Sequence, residues 1–217
     1  RIDLQENSSV VYTDPNLNIP DEDTESNTTQ RSDLAMAKFS VKYKPNAKNQ
    51  MDYDILARTS KESQDQMFFS TVNGNINEFE NAKPYSINQN LNYYYTLDDT
   101  NIFALEVQHL LQDEDPFYNA FLEDKVNYSG TADALGLDNM QVAYDIAQEK
   151  RIRSNQIDAK LDYWNILNPK SDINFTLGTI YSRQDFQSDI FQLADDQAVL
   201  DPQPTINDGL DFNDIAY

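Results

Sequence analysis

Gln156-Ile157-Asp158-Ala159-Lys160-Leu161-Asp162-Tyr163 alternates polar and apolar side chains without a break, and Asn168-Pro169-Lys170-Ser171 follows a few residues on. Beyond that turn Ile173, Phe175, Leu177, Thr179 and Tyr181 alternate with Asn174, Thr176, Gly178 and Ser182. A period of two assigns each set to its own face of a strand. Two such runs joined by a short Pro-containing turn predict an antiparallel hairpin with one apolar and one polar face.

The same design occurs twice upstream. Ala35, Ala37, Phe39, Val41 and Tyr43 interleave with Lys38, Ser40 and Lys42, and a turn over 45–50 leads into Met51, Tyr53, Ile55 and Ala57 against Asp52, Asp54 and Arg58, with Leu56 out of pattern. Tyr85, Ile87, Leu91, Tyr93, Tyr95 and Leu97 alternate with Ser86, Asn88, Asn90, Asn92 and Thr96. Asp98-Asp99-Thr100-Asn101 turns that run back into Phe103, Leu105, Val107 and Leu111, opposite Glu106 and Gln108.

Between the hairpins the sequence is polar and without period. Residues 1–33 are expected to be an outer loop, 34–191 to hold the strands in about three hairpins, and 192–217 to be a further outer loop. Long outer loops are expected near 61–84 and 113–151, with a short helix from Asn139 to Lys150. Both chain ends read as cuts within a longer protein. Short turns at one end of a meander and long connections at the other are the layout of outer-membrane barrels. The expected fold is therefore all-β: an antiparallel up-and-down transmembrane β-barrel segment with short periplasmic turns and long extracellular loops.

Composition narrows the function classes. The 217 residues carry a formal charge of -21, which argues against a nucleic-acid partner, since phosphate backbones are bound by clustered Lys and Arg. Yet 13 Tyr and 11 Phe are far more than a disordered acidic chain holds, so the chain builds an ordered apolar surface. Cysteine is absent, which removes disulfides, thiolate metal sites and Cys nucleophiles together. No apolar run approaches the roughly 20 residues of a membrane-spanning helix.

The polar faces carry Lys38, Lys42, Asp52, Asp54, Arg58, Glu106, Asp158, Lys160 and Asp162, a mixture suited to a water-filled lumen. Tyr43, Tyr53, Tyr93, Tyr95, Phe103, Tyr163 and Phe175 lie near the short turns on the apolar parity, as an interfacial aromatic girdle would. Phe68, Phe69, Tyr85 and Tyr181 are the candidates for a second belt. A soluble or surface-anchored β-rich binding or adhesin module would also alternate, with its apolar face packed on a second layer.

The run Lys160-Leu161-Asp162-Tyr163-Trp164-Asn165-Ile166-Leu167-Asn168-Pro169-Lys170-Ser171, with Asp172-Ile173-Asn174-Phe175-Thr176-Leu177-Gly178, resembles the barrel domain of TonB-dependent receptors of the Bacteroidota. Tyr181 to Phe191, with Asp185-Phe186 and Ser188-Asp189-Ile190-Phe191, resembles a strand leaving for an outer loop in that family. The close likeness covers about forty residues of sequence. It implies a bacterial outer-membrane receptor that imports a scarce ligand: a siderophore, vitamin, peptide or glycan. The implied partners are outer-membrane lipid, the rest of the same barrel with its plug domain, TonB through the parent chain, and a surface lipoprotein. Neither a plug nor a coupling box is recognisable in this stretch.

Catalysis is not expected, and no cofactor, metal or ligand-binding residue is assigned. His109 follows the apolar parity and reads as an interfacial or packing residue. Acidic clusters at Asp21 to Glu25, Asp113 to Asp115 and Asp195-Asp196 lack the spacing of a calcium loop. The pairs Asp52/Asp54 and Asp158/Asp162 are better placed to line a lumen than to imitate a glycosidase.

Overall fold

A computed structural model describes residues 1–14 and 19–200. It is all-β apart from one helix. The elements are β1 (Ile2–Val10), β2 (Glu22–Asn46), β3 (Asn49–Ser70), β4 (Gly74–Ala82), β5 (Tyr85–Thr96), β6 (Asn101–Glu114), β7 (Phe117–Leu122), α1 (Lys125–Leu135), β8 (Tyr144–Asn168) and β9 (Ser171–Leu193). Among the described residues no helix is long and apolar enough to cross a membrane, which says nothing of strands.

The sheet is an antiparallel up-and-down meander in which two of the long strands are broken. β4 and β5 together run back along β3: Gly74 faces Ser70 and Ala82 faces Glu62, then Tyr85 faces Thr59 and Tyr95 faces Asn49. β6 and β7 likewise run together along β8. The breaks fall at Lys83-Pro84 and Asp115-Pro116, where proline has no N–H to give the ladder. They lie side by side and are partly mended. Ser60 N–H donates to the Pro84 carbonyl at 3.0 Å, Lys150 N–H to the Pro116 carbonyl at 2.9 Å, and Lys83 N–H to Asp115 Oδ1 at 2.9 Å.

Because of the paired breaks, β3, β4, β7, β8, β6 and β5 form a ring of hydrogen-bonded neighbours. That ring surrounds the breaks and is not a barrel closure. Among the described residues β1 pairs with no strand but β2, and β9 with no strand but β8, apart from a single bridge from Leu193 to Val199, so the sheet has two open edges.

The three hairpins expected from the alternation are present, with Tyr43 opposite Met51, Tyr95 opposite Phe103, and Tyr163 opposite Phe175. Pro45 shifts the register between Tyr43 and Asn46. The connections differ from expectation. Much of residues 1–33 is strand, as β1 pairs with the outer half of β2 from Ile2/Gln30 to Val10/Glu22. Residues 61–84 form the outer half of β3 and all of β4 around a turn at 71–73, and 113–151 holds β7, α1 and the start of β8. Residues 192–193 end β9, and 201–217 lie outside the described residues.

Both faces of the outer half of β2 and of residues 61–66 in β3 are polar, so no apolar alternation marks them, while β7 is largely apolar on both faces; pairing with a long neighbour sets their conformation. Ser26 bonds Gln66 and Ser188 bonds Gln148 across neighbouring strands.

The helix lies earlier than Asn139 to Lys150. Asp124 caps its N-terminus by accepting from Val126 N–H, and Gly136 closes it at φ 71 with its N–H on the Ala132 and Asp133 carbonyls. Tyr144 to Glu149, placed by sequence in that helix, pairs instead with β7.

Candidate functional site: the two faces of the sheet

Directly opposed residues share a face, so the register assigns every strand residue to one side. The first face carries an apolar band next to the short turns. Its rows are Tyr43, Met51, Tyr93, Leu105, Leu161, Leu177, then Val41, Tyr53, Leu91, Val107, Ala159, Thr179, then Phe39, Ile55, Gln89, His109, Ile157, Tyr181. The band runs from Phe103 to Leu111 along β6, about nine residues, within the 9 to 11 of a strand tilted across a bilayer.

No second layer covers it among the described residues. Phe39, Phe175 and Leu177 are 59%, 63% and 72% exposed. A contiguous exposed apolar surface of this kind marks a face that meets a membrane or a protein partner.

At the turn end the band is edged by a ladder of rings. Phe103 and Tyr163 stack with centroids 4.7 Å apart, flanked by Tyr95 at 6.3 Å and Phe175 at 6.4 Å. The hydroxyls of Tyr93 and Tyr163 donate to Asn49 and Asn101 beside the turns, each at 2.5 Å. The rings thus face the band while the hydroxyls face the polar turns. At the far edge stand Tyr85 and Tyr181. Phe68 and Phe69 are not beside them: they sit near the tip of β3, paired with Ile76 and Asn75, and Phe68 is on the other face.

One polar chain interrupts the band. Tyr53 OH donates to Gln89 Oε1 at 2.7 Å, Gln89 Nε2 meets His109 Nδ1 at 3.1 Å, and His109 Nε2 meets Asn155 Oδ1 at 3.0 Å. His109 is thus a hydrogen-bonded member of a four-strand relay, each polar group satisfying the next in an apolar setting. The sequence signal was there to be read, since Gln89 and His109 both occur on an otherwise apolar parity.

The second face is a polar lattice at the same level. Ser40 OH and Lys38 both engage Asp54, the latter at 3.7 Å. Lys160 lies 2.8 Å from Asp162 and 3.8 Å from Glu106, and Thr176 donates to Asp162 at 2.5 Å. Asp54 and Asp162 meet these cations, whereas Asp158 accepts from Gln156, and Asp52 accepts from Gln50 through one oxygen while its other oxygen is buried without a hydrogen-bond partner.

Above the band the second face carries two further features. At the proline breaks a cleft of about 340 Å³ is lined by Arg58, Glu62, Glu80, Glu114 and Tyr118. Burial, with Glu80 and Glu114 beside it, raises the Tyr118 pKa, and Lys150 Nζ lies 4.8 Å from the ring centre. Farther out, the segment carrying α1 folds over this face. Ala132, Leu137 and Tyr144 form a small core with Leu122, Tyr128, Leu135 and Ile146. Asn127 bonds the Val72 carbonyl on one side, while Asp138 N–H reaches Gln192 and Val142 N–H reaches Asp195 on the other.

The acidic clusters are absorbed locally. Glu22 accepts from Ser70 and Asn73, Asp113 from Arg151 and Arg153, Asp115 from Lys83 N–H, and Asp196 from Ala198 N–H. Among the described residues no three His, Cys, Asp or Glu converge as a metal site.

Charge follows the same division. Segments 35–59, 85–111 and 153–183, which hold the band, contain nine basic and eight acidic residues, so the whole negative balance comes from the outer segments. No protein-family model matches the chain, and no curated protein is a significant match.

Proposed function

We propose that this chain is part of the wall of an outer-membrane β-barrel. The observation that carries the reading is the uncovered apolar band, one lipid-crossing strand length tall, backed by a polar lattice on the other side of the same strands. In a bilayer each exposed apolar side chain of the band would be stabilised by roughly 1.5 to 3 kcal/mol relative to water. The open edges at β1/β2 and β9 agree with it, because a long unpaired strand edge is a template for further pairing. They would be joined by the remaining strands of the parent barrel.

The particular class is a TonB-dependent receptor of a Bacteroidota outer membrane, on the likeness at Lys160 to Gly178. In this reading the polar lattice lines the channel beside the plug, the α1 segment narrows its outer mouth, and the acidic outer strands meet ligand or a surface lipoprotein. The transported ligand would be one of the scarce solutes such receptors import. Energy would come from TonB through the parent chain.

Heat-modifiable migration of the full-length protein tests the barrel. The reading expects extraction only with detergent and a faster unheated band. Full solubility without detergent would instead favour an adhesin-like module whose apolar face meets a second layer.

A further inference from the structure

The proline breaks leave a hollow on the second face. Its floor is built of short side chains, Ser60, Ala82, Pro84 and Pro116, and longer ones stand round it, which gives the cleft of about 340 Å³. A second hollow of about 340 Å³ continues it outward, sharing Glu80 and Tyr118 and ending on Ala120, Ile146 and Ile190. A concave surface with a few placed polar groups is the form of a ligand site.

The charges are ordered along this groove. Arg58 stands at the inner end, and among the described residues its guanidinium has neither a hydrogen-bond nor an ion-pair partner. Arg58 shares a row with Ser86 and Gln112, and Glu80 pairs with Gln64, so Glu114, Glu62 and Glu80 lie two, four and six residues farther out. At the rise of a strand these steps are about 7, 13 and 20 Å.

Ligand charge follows from this order. Lys150 is held over the Tyr118 ring. Against Arg58 and Lys150 stand Glu62, Glu80, Glu114 and, in the second hollow, Glu78, so an anionic ligand is repelled. A neutral one would cover Arg58 and the carboxylates without pairing them, at a desolvation cost. What fits carries a carboxylate at its inner end and an ammonium roughly 10 Å farther out, the reach of three extended residues. Gln112 in the cleft and Gln64 and Gln148 beyond it offer donors and acceptors to a peptide backbone.

We infer that this groove binds a short peptide with free ends, its carboxylate on Arg58 and its ammonium among Glu62, Glu80 and Glu114. Binding stands on the geometry of this face alone. That the peptide is cargo rests on the barrel reading, in which this face lines the channel.

The test is calorimetric titration of the full-length protein in detergent with trialanine, trialanine amide and N-acetyl-trialanine. Wild type should bind trialanine about tenfold more tightly than either blocked form. R58Q alters a side chain without a polar partner; it should bind the free acid and the amide alike, yet still prefer trialanine to the acetylated form. E62Q/E80Q should show the converse pattern. Equal binding of the three probes by wild type, binding of none, or an undiminished acid-over-amide preference in R58Q would overturn the inference. Heat-modifiable migration is followed on the same samples. End-group preference without it keeps the site and removes the channel, whereas migration without end-group preference removes the site alone.

Discussion

Replacing Val107 by Arg would put a guanidinium at mid-height of the apolar band, between Leu91 on β5 and Ala159 on β8. On a lipid-facing strand at the bilayer midplane such a change costs about 2 to 4 kcal/mol. That is about a thirty- to several-hundred-fold fall in the folding equilibrium. One residue on, Gln108 points to the opposite face, where its neighbours are Asn90 and Asp158. Gln108→Arg there gains a carboxylate neighbour in water and should shift stability by about 1 kcal/mol or less. The assay is denaturant unfolding of full-length protein refolded into phospholipid vesicles, read by tryptophan fluorescence and unheated gel migration. Equal costs for the two variants, or a larger cost at Gln108, would refute the assignment of faces to lipid and water.

Other outcomes follow from local geometry. Gly74 has φ +78, and a Cβ there would lie 2.8 Å from Asp124 Cβ, so Gly74→Ala should cost about 1 to 3 kcal/mol and speed hydrogen exchange in α1 and the 71–73 turn. Asp124→Ala removes the α1 cap and should weaken that helix by about 1 kcal/mol, seen as faster proteolysis between β7 and β8. The Thr100 backbone N–H, then the Thr100 hydroxyl and Asn101, lower the Asp98 pKa from 3.8 to about 2. A depressed carboxyl stabilises fully above its unfolded value, so this turn should hold above pH 3.8 and loosen as pH falls toward about 2. Exchange of the Thr100 and Asn101 amides should report that change, and Asp98→Asn should flatten it.

The inner half of the sheet was legible because two independent signals coincide there. Alternation assigned Leu161 and Asp162 to different faces, and Asn168-Pro169 supplied a turn. The outer half offered neither signal. Thr28, Gln30, Gln64 and Gln66 are strand residues with polar neighbours on both sides, and only the register of β2 against β3 places them. The helix was misplaced for a different reason. Lys125 to Leu135 has no apolar stripe, so its evidence lay in the Asp124 and Gly136 caps, whereas Tyr144 to Glu149 looked helical but had a strand to pair with.

Of the candidate site, the charged lattice was legible from parity alone. The chain from Tyr53 to Asn155 was not, because it joins residues up to about a hundred positions apart whose neighbourhood exists only once four strands are in register. The Asp113 ion pairs were hidden likewise, since Asp113 and Arg153 meet across β6 and β8.

The two prolines at matched height leave a seam across the middle of the sheet. On either side of it β2 with β3, and β8 with β9, keep uninterrupted ladders that act as stiff rails. Between the rails the backbone rungs joining β4/β5 to β6/β7 are interrupted at one level, where Lys83 N–H on Asp115 stands in for them. In the proposed barrel, Pro84 and Pro116 would thus set the level at which these four strands share the fewest backbone hydrogen bonds.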